Sequence, residues 1–427
     1  MDIRNLTKLI NGKLINLPKN PNKKIASFKL DSRNVYKDDV FICINTGYLY
    51  IEDAIKNGAC VIITDKDIHL KTKTCIIYVD NIELTLLRLI EYVRNKYKYV
   101  PLIAITGSVG KTTTKELLHH ILSSKYKVLK NEGNKNNYIG IADTIFKLDS
   151  TYDIVVLEVG MNHTLEIEKI SNSIKPDISV ITNIGTSHIG NLGSKKNIYK
   201  AKMEIVSGMK NGNLVVPYTD SILKHAKYDV VNKCLDIKIS KIKINDKLNF
   251  VLRYHRKNYM INFDVPNKSY ISNIMLAFEL STYFIINIDE VIKSINSFES
   301  INSRMKIIDV EKYKIIDDTY NSSYESIKGV IEYINNIPNK LIILGDIKEL
   351  GIHSIKIHKK INHLLKGINK NNILLVGDMT KYIKGIHFNN NEDIIQYLSK
   401  INLNSFTILV KGSRLMHMEE IVEFLKK

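Results

Sequence analysis

Residues 102–113 read Leu-Ile-Ala-Ile-Thr-Gly-Ser-Val-Gly-Lys-Thr-Thr, an apolar run that enters a glycine-bearing turn and then a helix-forming stretch. Backbone N–H groups at the start of such a helix, helped by the positive end of its dipole, cradle phosphates. Lys111 would neutralise those phosphates and the Thr112 hydroxyl would hold Mg²⁺, so Gly107, Ser108, Gly110, Lys111, Thr112 and Thr113 form the expected nucleotide triphosphate site. The motif departs from G-x-x-x-x-G-K-[ST] in having Ile105 at the first glycine position. A glycine turn capping an ordinary helix is the bland reading, and the strand before it and the Lys-Thr-Thr after it speak against that. Tyr152 to Gly160 reads as a second buried strand ending in Glu158, and Ile181 to His188 as a third that runs into a glycine turn. In a parallel sheet the carboxyl ends of strands line the ligand crevice, which would bring Glu158 and His188 to the phosphate loop as candidate magnesium or phosphate ligands. A solvated acid and a structural histidine are the alternatives. Lys202, in a helix expected over Asn197 to Met209, reads from the residues alone as a surface lysine.

The elements that must position these groups suggest an α/β protein of three domains, which suits 427 residues at ~100 to 200 residues per domain. Residues 1–99 read as a small α/β unit, with strands over Val40 to Ile44 and Ala59 to Thr64 and a helix over Ile51 to Asn57. Residues 100–299 form the expected central phosphate-loop domain. Its strands at Leu102 to Thr106, Ile154 to Val159, Ile178 to Ile184 and Leu214 to Pro217 alternate with helical stretches, as in a mostly parallel sheet. Ile222 to Phe263 is polar and strand-like, and a helical period resumes over Ile271 to Phe284. Residues 300–427 read as a Rossmann-like unit with strands at Lys314 to Asp317, Leu341 to Leu344, Ile373 to Val376 and Thr407 to Val410.

The formal net charge of +18 calls for an anionic partner, but the lysines are spread along the whole chain without an Arg-rich arm or interleaved aromatic stripe. That argues for a solvated basic surface and a bound nucleotide, and against nucleic acid. Cys43, Cys60, Cys75 and Cys234 make no C-x-x-C pair and read as buried free thiols of a reducing compartment. Residues 1–17 lack the apolar stretch of a signal peptide, and no segment approaches the ~18 to 20 apolar residues of a membrane span. The expectation is a cytoplasmic protein, not inserted in a membrane, and a monomer.

The order Thr-Gly-Ser-Val-Gly-Lys-Thr-Thr, Leu-Glu158-Val-Gly-Met-Asn, Asn-Ile-Gly-Thr-Ser-His188 and Ala201-Lys202-Met-Glu-Ile resembles the central domain of the Mur ligases. The resemblance implies ATP as cofactor and two magnesium sites, one held by Thr112 and Glu158 and the other by His188. It also implies a carbamylated Lys202, whose carbamate supplies the anionic oxygen that Mg²⁺ prefers, so that Lys111, Glu158, His188 and Lys202 are the expected catalytic set. Ser303-Arg304-Met305, Ile316-Asp-Asp318-Thr-Tyr-Asn321, Leu344-Gly-Asp346, Glu349-Leu-Gly351 and Lys411-Gly-Ser-Arg414 resemble one branch of that family. The branch couples D-alanyl-D-alanine (D-Ala-D-Ala) to UDP-N-acetylmuramoyl-tripeptide through an acyl phosphate. By the same resemblance Asn273, Arg304, Asp318 and Asn321 contact ATP, and Asn134, Asn136 and Asn137 lie near the acceptor or the phosphates. Ser32 and Arg33, in an Asp-Ser-Arg stretch, match the amino-terminal domain that grips the uridine nucleotide sugar.

Three positions depart from the pattern. Ser269-Tyr270 replaces the usual His-Asn, Ser323-Tyr324 the usual Asn-Pro, and Thr46-Gly-Tyr-Leu-Tyr50 the usual Asp-Gly-His. The last keeps open a diverged ligase that applies the same chemistry to another acceptor. A phosphate-loop kinase or switch would explain Lys111 and Glu158 but leave the Asp-Asp-Thr-Tyr-Asn and Lys-Gly-Ser-Arg motifs without a role. A non-catalytic binding protein on the same fold is the remaining reading, opposed by the intact set of Lys111, Glu158, His188 and Lys202.

Overall fold

The computed structural model describes residues 1–16, 18, 20–68, 70–228, 230–299 and 303–427. Leu17, at the end of the stretch weighed as a leader, and Ser300, the first residue of the expected final domain, lie outside the described residues.

Near the amino terminus, strands β1 (Lys13–Asn16), β2 (Phe28–Lys29), β3 (Val40–Ile42), β4 (Val61–Thr64) and β5 (Cys75–Tyr78) form a sheet in the order β1-β5-β4-β3-β2. Only β1 runs antiparallel to its neighbour. One face packs on the helices Ile3–Ile10 and Ile82–Lys96, and the other buries Phe41, Cys43 and Ile62 against Ile51 and Ala54. The first of these helices escaped the sequence reading, although Asp2 caps it by accepting from the Asn5 N–H.

Strands β6 (Leu102–Thr106), β7 (Val128–Lys130), β8 (Ile154–Glu158), β9 (Ile178–Ile181), β10 (Asn213–Val215) and β11 (Val231–Asn232) form a parallel sheet in the order β11-β10-β9-β6-β8-β7. Every residue of β6, β8 and β9 is buried, which is why these runs are apolar throughout and do not alternate. The chain leaves β6 through the helix Lys111–Leu122 to β7 at the edge, returns to β8, and then crosses to β9 on the other side of β6. Connections therefore diverge at β6, and the crevice outside its carboxyl end is the ligand site that such sheets offer. The polar stretch Ile222 to Phe263 divides: β11 closes the parallel sheet, whereas β12 (Lys238–Ile244), β13 (Leu248–Tyr254) and β14 (Lys257–Phe263) form a separate antiparallel meander.

The last sheet contains β15 (Lys306–Val310), β16 (Tyr313–Asp317), β17 (Lys340–Gly345), β18 (Ile373–Val376), β19 (Ile386–Phe388) and β20 (Thr407–Lys411), ordered β15-β16-β20-β17-β18-β19. It is parallel apart from β15. Along β17, Leu341 and Ile343 face Ile394 and Ile421, while Ile342 and Leu344 belong to the opposite layer with Ile327 and Ile331; helices thus cover both faces. This unit meets the central one beside the carboxyl ends of the central strands: Gly190 N–H donates to the Glu349 carbonyl (3.0 Å) and the Thr186 hydroxyl to Glu325 (2.7 Å). Among the described residues no helix is long and apolar enough to cross a membrane. The four cysteines are free thiols, but Cys60 is only half-buried, lying just before the short β4 rather than within it.

Candidate active site

The turn after β6 holds Gly107 at φ +151° and Gly110 at φ +86°, the second serving as N-cap of the helix Lys111–Leu122. A Cβ at either position would collide, at 107 with the Thr182 hydroxyl and at 110 with the Asn273 side chain, so both conformation and space demand glycine. Asn183, just past β9, accepts the Ser108 and Val109 N–H groups on its Oδ1 (3.1 and 2.9 Å), and Gly185 N–H donates to the Ser108 hydroxyl (2.9 Å). The segment after β9 thereby holds the phosphate loop from below. Lys111 folds back to donate to the Gly107 carbonyl (2.9 Å). Burial pushes its pKa down, Glu158 opposes that shift, and Arg304 adds to it.

Glu158 ends β8 fully buried, with Thr112 donating to its Oε2 (2.6 Å) and Asn136 to its Oε1 (2.7 Å). Arg304, from the chain leading into β15, donates to the same Thr112 hydroxyl (3.0 Å) and lies 4.0 Å from the Tyr320 ring centroid. Among the described residues no three His, Cys, Asp or Glu side chains cluster as a self-sufficient metal site. Magnesium at nucleotide sites needs only one or two carboxylates beside phosphate oxygens and water, so the hard-oxygen pair Thr112 and Glu158 fits it. His188 stands at φ +61°, with Nδ1 2.8 Å from Glu349 Oε2 in a contact not aligned as a hydrogen bond. The nitrogen faces the Glu349 carboxylate of the final unit, and this contact is the main cause that holds the Glu349 pKa below its ordinary value.

Lys202 corrects the surface-lysine reading: it is 1% exposed, and burial, then Lys111, hold its pKa well below the ordinary lysine value. Its helix starts at Lys195 rather than Asn197, because Ser194 caps it, and ends at Met203, followed by a 3-10 turn over Glu204–Val206.

A cavity of about 670 Å³ gathers these groups from both units. Ser108, Gly110, Lys111, Thr112, Thr113, Asn134, Asn136, Asn137, Glu158, His188 and Asn273 line it from the central unit, and Arg304, Asp318 and Asn321 from the final one. Asp318 pairs with Lys411 (Nζ to Oδ2, 2.7 Å) and accepts the Met305 N–H (3.2 Å); burial nevertheless raises its pKa, against the pull of Lys411. Asn137 already spends its side-chain oxygen on the Gly140 N–H, as N-cap of the helix Tyr138–Ile145. Gly107 and Lys202 are not on the cavity wall, and neither are Ser32 and Arg33. Ser32 is buried in the amino-terminal unit, and the exposed Arg33 is clasped by Asp31 (2.7 Å). Sequence reasoning missed Asn183, Tyr270, Tyr320 and Lys411 as site residues, though Lys411 ends β20 and Asn183 follows β9 at the same sheet edges as the residues it found. A second cleft of about 550 Å³, lined by Leu9, Arg88, Glu91, Tyr92, Asn95 and Lys96, contains none of the chemically active groups.

Residues 105–288 match the Mur ligase middle domain. The UDP-N-acetylmuramoyl-tripeptide--D-alanyl-D-alanine ligase of Buchnera aphidicola subsp. Acyrthosiphon pisum is 32% identical over 94% of this chain and 94% of its own length. The chain belongs to the Mur ligase family. The enzyme of the same name from Buchnera aphidicola subsp. Baizongia pistaciae is 30% identical over 94% of this chain and 93% of its own. A crystal structure of MurF from Acinetobacter baumannii is similar over 100% of this chain and 99% of that one, at 25% identity and a TM-score of 0.90. In this Mur ligase the residues facing the cavity from the final unit thus belong to a fold shared along the whole chain, outside the stretch that the family model matches.

Proposed function

We propose that this Mur ligase joins D-Ala-D-Ala to UDP-N-acetylmuramoyl-tripeptide with ATP, releasing ADP and phosphate. One observation carries the reading: a single cavity is walled by the phosphate loop and Glu158 on one side and by Arg304, Asp318 and Asn321 on the other. Relatives that match nearly end to end bear the name of that activity. The reading puts the reaction in the cytoplasm, where nucleotide-linked precursors and ATP are found.

The loop amides, Lys111 and Arg304 orient the triphosphate so that a substrate carboxylate oxygen can attack the γ-phosphorus as its bond to ADP breaks. Thr112 and Glu158 would hold one Mg²⁺, and His188 with a Lys202 carbamate a second, and the metal would supply positive charge to the phosphate oxygens. The dipeptide amine then attacks the activated carbonyl carbon, loses a proton, and expels phosphate; Lys111 and Arg304 are the cations available to the charge that develops. Contacts of Thr186 with Glu325 and of Gly190 with Glu349 join the two units at the cavity, and further closure of the final unit would keep water from the acyl phosphate.

Lys202 supports the carbamate reading because carbamylation needs a neutral amine, and burial beside Lys111 favours that form. The diverged-acceptor reading rests on the Gly47–Tyr50 turn alone, which exposes Tyr48, Leu49 and Tyr50 at the position of the usual Asp-Gly-His. Mass analysis after incubation with Mg-ATP and both substrates separates the two: a product heavier by one dipeptide less water supports the first reading. ATP binding without that product would refute the assigned acceptor.

A further inference from the structure

Beside the phosphate loop lies a buried polar network with no role in the steps above. Lys115, on the helix that carries Lys111 and Thr112, is completely buried. Its Nζ turns away from the phosphate site, donating to the carbonyls of Asn131 (2.5 Å) and Gly133 (3.4 Å) and lying 3.0 Å from Glu116 Oε1. An ammonium taken out of water survives only with such partners, and in return it ties the loop after β7 to the phosphate-binding helix.

Asn131 is equally buried and directs its whole amide at that junction. Its Oδ1 accepts the Glu158 N–H (2.8 Å), and its Nδ2 donates to the carbonyls of Glu158 (2.8 Å) and Lys135 (2.8 Å). The β7–β8 ladder ends with Lys130 opposite Val156, and beyond it one side chain satisfies both backbone polar groups of Glu158. The loop then returns: Asn136 donates to Glu158 Oε1 (2.7 Å), and its carbonyl accepts the Gly160 N–H (2.9 Å). Residue 158 is gripped at its N–H, its carbonyl and its carboxylate by one loop anchored on Lys115.

We propose that Asn131 and Lys115 are positioning residues for the Glu158 carboxylate, setting the orientation in which it meets a nucleotide-bound divalent cation. The inference rests on Glu158 being a magnesium ligand, as in the function proposed above. Groups that orient a metal ligand from behind are worth about 10- to 100-fold in metal affinity. A loop anchor without that role would alter stability and leave metal affinity alone.

The test uses the full chain with ADP and Mn²⁺, the latter read by electron paramagnetic resonance. For Asn131→Ala the expected result is Mn²⁺ binding about tenfold weaker or more in the presence of ADP, with metal-free ADP affinity kept within about twofold. Unchanged Mn²⁺ affinity, or equal losses for metal and nucleotide, would overturn the proposal. If that variant does not fold, Lys115→Gln, which keeps one amide donor for the loop carbonyls, must weaken Mn²⁺ in the same direction; wild-type affinity there refutes it. Because Mn²⁺ and ADP binding needs no acceptor, a wild-type chain that binds both but does not turn over the dipeptide counts against the substrate assignment. The Asn131 comparison remains decisive for this one.

Discussion

Replacing Lys411 by Met removes the cation from a pair whose atoms lie 2.7 Å apart and leaves the Asp318 carboxylate buried beside a single N–H donor from Met305. Breaking a buried pair from one side costs roughly 3 to 5 kcal/mol. Protonation sets a ceiling on the charge part of that cost. Neutralising a carboxyl whose ordinary pKa is 3.8 costs at most about 4 kcal/mol at about pH 7, and about 2 kcal/mol at about pH 5.5, at 1.36 kcal/mol per unit. The sign follows from the direction of the shift: burial already raises the Asp318 pKa, and loss of Lys411 raises it further. The folded form then holds a proton that the unfolded form releases, so the penalty grows as pH rises between the unfolded and folded values. Denaturant unfolding of wild type and Lys411→Met at the two pH values should give a larger loss at the higher pH than at the lower, with the charge part bounded by about 4 and about 2 kcal/mol and reduced by the cost that the raised Asp318 pKa already imposes on the wild type. Adding Asp318→Asn should recover most of it. A loss below about 1 kcal/mol, or one equal at both pH values, would refute the assignment of this pair as a desolvated charge pair.

Glu158→Gln should lower kcat/KM by about 100-fold or more while metal-free ADP binding persists, measured by steady-state kinetics and calorimetry. Arg304→Lys keeps the charge but loses the planar fork lying on Tyr320, and the KM for ATP should rise about tenfold; an unchanged KM would dissociate Arg304 from the nucleotide. Lys202→Ala should be nearly inactive and regain turnover with added short-chain carboxylates, whereas an unchanged rate would remove the proposed carbamate. Removal of divalent cations with EDTA should abolish turnover and leave the thermal unfolding midpoint of the nucleotide-free chain in place, since no described side-chain cluster depends on a metal.

Much of the central site was readable because its strands are buried on both faces. The apolar runs Leu102 to Thr106 and Ile154 to Leu157 could hardly be anything else, and Lys111 and Glu158 stand where those runs break. Lys202 was misplaced although its helix carried the signal: Ile198, Ala201 and Lys202 are spaced i, i+3, i+4, so the lysine falls on the apolar stripe. Asn131, Lys115 and Lys411 were less legible, since their roles come from contacts between elements far apart in sequence. An asparagine after a short edge strand looks like any turn residue until the Glu158 backbone is seen against it. The amino-terminal grip expected from Ser32 and Arg33 rests on the resemblance alone: Ser32 is buried in its own unit, Arg33 pairs with Asp31, and neither lines the nucleotide cavity.

The most direct test is ADP release by the purified chain with Mg-ATP, UDP-N-acetylmuramoyl-tripeptide and D-Ala-D-Ala, omitting each component in turn. The account predicts release only when both substrates are present, with one amide formed for each ADP. Release that is indifferent to either substrate, or none with the complete mixture, would contradict it.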